Sequence, residues 1–217
     1  MRMICLANSY KDGGRCIAGI DADTGKLVRL VVESGGSIPL KKTYVKAGRW
    51  PFKKKPLSPL EIVEIDVKPC PLIAEFQCEN QIIAGWHWRI AGREEPANLL
   101  KYCDATAPIF CSTSDRIYAS VLRRMPPECW KSLQLVEPAD LAFERDQREK
   151  WRVRFKDAKG GSYDLSLTDP FFMNKLQSGV PVSKKCLLTI SLTRPFVSKD
   201  PYRPAICYKV AAGVIEL

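Results

Sequence analysis

Residues 7 to 16, Ala7-Asn8-Ser9-Tyr10-Lys11-Asp12-Gly13-Gly14-Arg15-Cys16, set an amide, a hydroxyl, two cations, a glycine pair and a thiol side by side. Three kinds of chemistry use such groups: a phosphate cradle, a nucleophile site, or no chemistry at all, only a turn between strands. The stretch lacks the Lys-Ser/Thr ending of a P-loop and does not read G-x-G-x-x-G, so no nucleotide motif is present. A nucleophilic Cys16 needs a base, and the one histidine, His87, is far away in sequence. Alternation puts Cys16 with Ala18 and Ile20 on an apolar face, which predicts a buried thiol. Lys11 and Arg15 flank Gly13-Gly14 and could present side chains and backbone N–H groups to one phosphate, although Asp12 opposes that use.

Other constellations are basic. Lys150-Trp151-Arg152-Val153-Arg154-Phe155-Lys156 alternates strictly, so Trp151, Val153 and Phe155 share one face and Lys150, Arg152, Arg154 and Lys156 the other. A symmetric hairpin would set Arg154 opposite Asp164, Arg152 opposite Ser166 and Lys156 opposite Ser162. The stripe reads either as a solvated β face or as a row of phosphate contacts. Residues 193 to 204 carry Arg194, Lys199, Tyr202 and Arg203. A second cluster, Lys41-Lys42, Lys46, Arg49-Trp50 and Lys53-Lys54-Lys55, interleaves Tyr44, Trp50 and Phe52. In an extended chain the indoles of Trp86 and Trp88 fall on one face, where core packing competes with base stacking.

The elements that must position these residues are strands. Arg2 to Asn8, Arg15 to Ile20 and Lys26 to Val32 open the chain, the last two joined by a turn ending in Gly25. A basic excursion from Glu33 to Pro59 precedes two more strands, Leu60 to Lys68 and Glu75 to Ala84. The C-terminal third repeats the order: Leu133 to Glu137, extendable through Phe143; a hairpin of Lys150 to Lys156 and Ser162 to Leu167; a helix capped by Asp169-Pro170 and running to Gln177; then Cys186 to Leu192 and Ala205 to Ile215. β-β-β-α-β-β is the order of a five-stranded OB barrel, with an SH3-like barrel as competitor. Between the halves, Ala97 to Cys103 and Asp115 to Met125 read as short helices, the second capped by Ser114 and stopped by Pro126-Pro127. The expected organisation is mainly β: a first barrel over 1–90, a partly helical connector over 91–131 and a second barrel over 132–217.

The 217 residues are 46% hydrophobic and 27% charged, enough for one large core or two small ones. With 34 Lys and Arg against 24 Asp and Glu, the net charge of +10 makes polyanions the first partners to consider. No apolar run reaches the length of a membrane span, and the opening turns polar too early for a secretory signal, so a cytoplasmic protein away from membranes is expected. The 9 cysteines lack knuckle spacing, which argues against a disulfide frame or a metal site.

"CLANSYKDGGRCIAG", Lys26-Leu27-Val28-Arg29-Leu30-Val31, Leu165-Ser166-Leu167-Thr168-Asp169-Pro170 and Cys207-Tyr208-Lys209-Val210-Ala211-Ala212-Gly213-Val214-Ile215 together resemble the bacterial dual OB-containing domain family. That family's opening reads like C-L-A-N-S-x-K-x-x-G-R-C-V-A-G. Its aromatic residue before an I-R-P-V run, and that run's proline, are missing around Arg29. The resemblance spans nearly the whole chain and implies two OB folds and a nucleic-acid-binding role. It singles out Asn8, Ser9, Lys11, Arg15, Arg29, Thr168, Asp169, Tyr208 and Lys209, of which Asn8, Ser9, Thr168, Asp169, Tyr208 and Lys209 could line a groove between barrels; Asn8 as a turn former and Asp169 as a helix cap are the plainer readings. The leading expectation is a nonenzymatic protein that holds RNA or DNA chiefly by phosphates, without a cofactor. The contacting residues would be Lys150, Arg152, Arg154, Lys156, Arg194, Lys199, Tyr202, Arg203, Lys11, Arg15, Arg29, Trp50, Lys53, Lys54 and Lys55. The alternatives are a small-ligand or nucleotide-processing site in the groove, using Asn8, Lys11, Arg15 and Asp169, and an adaptor that docks an acidic protein.

Overall fold

Apolar runs punctuated by Asp and Gly begin the chain with three antiparallel strands, β1 (Arg2–Lys11), β2 (Gly14–Asp21) and β3 (Leu27–Val31). The computed structural model describes residues 1–11, 13–33, 35–46, 54–70, 76–200 and 202–217. Gly25, at φ 71°, supplies the left-handed residue of the second turn and donates its N–H to Asp21 O at 2.8 Å. The excursion that follows forms a 3-10 turn at Leu40–Thr43 and a ribbon of β4 (Tyr44–Lys46) and β5 (Lys54–Pro56). Trp50 and Lys53, with the other residues of 47–53, lie outside the described residues.

The expected strand from Leu60 to Lys68 is divided at Ile65-Asp66 into β6 (Glu61–Glu64), which pairs with β1, and β7 (Val67–Pro69), which pairs with β8 (Asn80–Ile83). β8 runs parallel to β3. The ladder therefore passes through the first, second, third, fifth and fourth strands and returns to the first, the order of an OB barrel. β9 (Arg89–Arg93) lies on the far side of β6 and carries β4 and β5 as an extension of the sheet.

The connecting residues are less helical than their sequence implies. Pro96–Tyr102 is a 3-10 turn, and the expected helix from Asp115 divides into β10 (Arg116–Tyr118) and α1 (Ala119–Arg124). Tyr118, not Ser114, precedes the helix, and it supplies no side-chain cap. Pairing of β10 with the start of the last strand accounts for this, because that strand offers a ladder to Arg116, Ile117 and Tyr118.

The second barrel follows as β11 (Leu133–Val136), β12 (Ala139–Arg145), β13 (Trp151–Lys156), β14 (Ser162–Leu167), α2 (Pro170–Gln177), β15 (Cys186–Leu192) and β16 (Ile206–Glu216). Glu137-Pro138 breaks its first strand, so β11 pairs with β15 while β12 pairs with β13. β14 runs parallel to β16, and the ring closes in the same order as before. Asp169 caps α2 by accepting from Phe171 N and Phe172 N, with Pro170 in the first turn and Gly179 at φ 69° beyond the end.

β1 explains why its sequence is apolar without alternation. Met3 and Cys5 enter the first barrel's core, whereas Ile4 and Leu6 pack outward with Ile20, Leu135, Leu187 and Ile215. A strand buried on both faces needs apolar residues at every position. Ala7, Ala18, Leu133 and Ala212 extend this seam between the barrels. The backbones approach so closely that a Cβ on Gly213 would fall 2.2 Å from Leu6 O. Among the described residues, no helix is long and apolar enough to cross a membrane.

Candidate functional site

Several polar residues of the opening and closing motifs are buried at the seam. Arg29, on β3, is 1% exposed and donates to Asn80 Oδ1 at 3.2 Å, Ser132 Oγ at 2.7 Å, Ser132 O at 2.9 Å and Ser191 Oγ at 3.1 Å. Glu79 reaches the same strand start, accepting from Ser132 N at 2.6 Å and Leu133 N at 2.9 Å. Arginine and glutamate of the first barrel thus hold the entry to β11. The expected phosphate contact at Arg29 meets a competing use, because both of its Nη groups are bonded to protein acceptors.

Asn8 is fully buried and donates through Nδ2 to Leu57 O at 2.8 Å. Arg15 is nearly buried, donates to Asn8 O and lies 4.4 Å from the centroid of the Tyr10 ring. Asp169, besides capping α2, accepts from Val214 N at 3.0 Å. Burial pushes its pKa up, against the opposing pull of three backbone N–H groups and Arg15. Lys209 is buried, and its Nζ donates to Ile109 O at 2.7 Å and to Ser112 O. That amine fastens the turn holding Phe110 and Cys111, both at positive φ, onto the second barrel, and burial lowers its pKa to about 8. These groups hold the fold together and leave few donors for a ligand.

Above them opens a cleft of about 520 Å³, walled by both barrels. The β1–β2 turn contributes Ser9, Tyr10, Lys11 and Cys16; the second barrel contributes Thr168, Tyr208 and the Thr193-Arg194-Pro195-Phe196 run. Arg29 forms part of its floor. Cys16 is half-buried here, not enclosed in a barrel core: β2 turns Ile17 inward, and the neighbours Ala18 and Ile20 are apolar because the second barrel covers them. Arg194 makes no hydrogen bond or ion pair among the described residues, and its Nε and Nη2 are shielded from water. Phe196 and Tyr10, 59% and 56% exposed, flank the opening. Neither aromatic was singled out by the sequence, although both adjoin residues that were.

The stripe on β13 has the cross-strand register expected with β14: Arg154 opposite Asp164, Arg152 opposite Ser166, Lys156 opposite Ser162. Its electrostatics differ, because β12 flanks the other side. Arg152 pairs with Asp164 at 2.8 Å and donates to Ser166 Oγ; Arg154 pairs with Glu144 at 2.8 Å; Lys156 pairs with Asp140 at 2.7 Å. The sequence hid this because the first strand bends at Pro138, which brings Asp140 and Glu144 to β13. Lys150 remains exposed beside them. In the loop before β16, Lys199 is exposed, Tyr202 is 94% exposed, and Arg203 lies 3.4 Å from Asp200. Only Arg194 of that loop's named residues turns into the cleft.

At the other end of β1 a broad groove joins the two basic and aromatic segments of the first half. Lys41, Lys42, Tyr44, Lys46 and Lys54 form one side, and Trp86, His87 and Arg89 the other. Trp88 is buried and Trp86 is 39% exposed, their rings stacked with centroids 6.2 Å apart, while Lys42 Nζ lies 5.3 Å from the Trp86 ring. Lys41, Lys42, Lys46 and Lys54 have no carboxylate partner among the described residues, whereas Lys55 is paired with Glu61.

Two five-stranded OB-like units in tandem, each with its third strand parallel to its fifth, define a protein of paired OB folds. The chain belongs to the dual OB-containing domain family, whose model matches residues 1–214. No curated protein and no solved structure matches it.

Proposed function

We propose that this is a nonenzymatic nucleic-acid-binding protein that holds a single strand of RNA or DNA along the groove of the first barrel. The observation that carries this reading is the row of four lysines without carboxylate partners among the described residues, beside an indole stacked on a buried second indole. Single strands are held by such pairings of cations for the backbone with an aromatic face for a base. An OB fold is compatible with the role. The outer face of β2 in the first barrel is largely covered by the seam, and the β13–β14 face of the second is largely neutralised by Asp140, Glu144 and Asp164. Among the described residues the groove is an open surface of net positive charge, its lysines and arginines outnumbering Glu64 and Asp66.

Fluorescence anisotropy with a 15-nucleotide oligo-dT and oligo-rU, titrated across salt concentrations, tests the proposal. Four phosphate contacts give a slope of log K against log salt near −3, at about −0.7 per contact for single strands. Lys46→Glu combined with Lys54→Glu halves that slope, and Trp86→Ala weakens binding about tenfold, the loss of one stacked base at roughly 1–3 kcal/mol. A folded triple variant with unchanged affinity and slope refutes the reading.

A further inference from the structure

We infer that the cleft between the barrels is a second site, distinct from the polymer groove, and that it takes one ribonucleotide as its monophosphate. The proposal stands on the cleft's own groups, independently of the groove. Arg194 lines the cleft, and two of its guanidinium nitrogens are shielded from water and have no hydrogen-bond partner among the described residues. A charged donor in that state is unfavourable; both nitrogens are closed to water from the cleft as well, so an anion there satisfies them once the side chain turns outward. No carboxylate among the described residues lines the cleft to supply that anion, and Arg29 beneath adds positive potential even though its hydrogen bonds are committed.

The hydroxyls say what else the ligand carries. Thr193 Oγ1 accepts from Tyr208 N at 2.8 Å, so its own O–H remains to be donated, a second donor for phosphate one residue from Arg194. Ser9 Oγ donates to Cys16 O and Thr168 Oγ1 donates to Ala211 O, both at 3.3 Å, so their lone pairs remain as acceptors. Such acceptors suit the hydroxyls of a ribose. Tyr10 and Phe196 offer exposed aromatic faces at the mouth, as a planar base requires. The volume of about 520 Å³ is that of a small-molecule pocket, which limits the occupant to one nucleotide. Among the described residues the cleft is lined by no histidine or carboxylate, and its one thiol is Cys16.

Isothermal titration of the full chain with AMP, GMP, CMP and UMP, and with the matching nucleosides and inorganic phosphate as controls, tests the inference. At least one monophosphate binds, and its nucleoside and inorganic phosphate each bind at least tenfold more weakly. Arg194→Ala weakens that monophosphate at least tenfold and Arg194→Lys recovers part of the loss, while the thermal midpoint and 15-nucleotide oligo-dT binding stay unchanged. Lys46→Glu with Lys54→Glu does the reverse, so failure at the groove and failure at the cleft are read separately. Binding of none of the four monophosphates, binding that survives Arg194→Ala, or loss of oligo-dT binding together with the monophosphate overturns the inference.

Discussion

Replacing Arg29 by alanine removes the largest fully buried polar side chain at the seam. Four acceptor contacts are lost, three of them to the second barrel: Ser132 Oγ, Ser132 O and Ser191 Oγ. Hydrogen bonds to a charged group contribute about 1.5–3 kcal/mol each when isolated, but bonds sharing one guanidinium are not additive. The abandoned acceptors cost about 1 kcal/mol apiece, except where cleft water reaches them, and the emptied volume adds a cavity term. A loss of roughly 3–5 kcal/mol follows, the range for breaking a buried charged cluster by removing one member. Since domains of this kind are stable by about 5–15 kcal/mol, the variant unfolds at much lower urea concentration. Arg29→Lys recovers less than half, because one ammonium cannot reach acceptors arrayed around a planar fork. Urea titrations followed by tryptophan fluorescence and far-UV circular dichroism measure both variants. A loss below about 1 kcal/mol for Arg29→Ala would mean that the guanidinium is not bearing on protein acceptors, and the seam argument fails.

Gly213→Ala forces a Cβ to 2.2 Å from Leu6 O and should cost about 3 kcal/mol or prevent folding, while Gly92→Ala, with only Ile62 Cδ1 at 3.8 Å, should cost under about 1 kcal/mol; equal effects in urea titrations would refute the close-packed seam. Arg152→Glu with Lys156→Glu breaks pairs with Asp164 and Asp140, so anisotropy should show oligonucleotide affinity and salt slope nearly unchanged while the urea midpoint falls slightly, chiefly through the less exposed Arg152. Burial raises the thiols of Cys103, Cys186 and Cys207 to about 11, and that of Cys5 further. The unfolded thiols release protons near pH 9 and the folded ones do not, so these groups lower stability as pH rises from 9 towards 11. Lys209, lowered to about 8, works the other way between pH 8 and 10.5, as one group against four. Urea midpoints at pH 8 and 10.5 should therefore fall, and fall less in Cys207→Ala; a rise would refute the burial of the thiols.

Local chemistry made the strands legible. The turns at Gly25 and Gly160, the Asp169-Pro170 cap and the register of Arg154 against Asp164 all depend on neighbours close in sequence, and all are found. What stayed hidden depends on distant segments. Asp140 and Glu144 neutralise the β13 stripe only because Pro138 bends the first strand around it, and no spacing rule reports that. Arg29 read as a surface cation because its acceptors, Ser132 and Ser191, lie more than a hundred residues away. Cys16 was expected under an apolar face, and the face exists, but it is apolar to suit the other barrel and leaves the thiol at a cleft edge. The proposed binding surfaces were legible as residue types, in Lys41, Lys42, Lys46 and Lys54 and in Arg194, but not as places.

The contact of Gly213 with Leu6 joins the beginning of the chain to its end. On a ribosome, Ile4, Leu6 and Ala7 emerge roughly 200 residues before the partners of their outward faces in β16, some 10–40 s earlier at about 5–20 residues per second. For that interval the first barrel closes its own ring but carries an uncovered apolar wall. Nascent chains stalled before β16 should thus be sticky and protease-sensitive, and should lean on holding chaperones. Those released after it should not, because β16 then covers that wall.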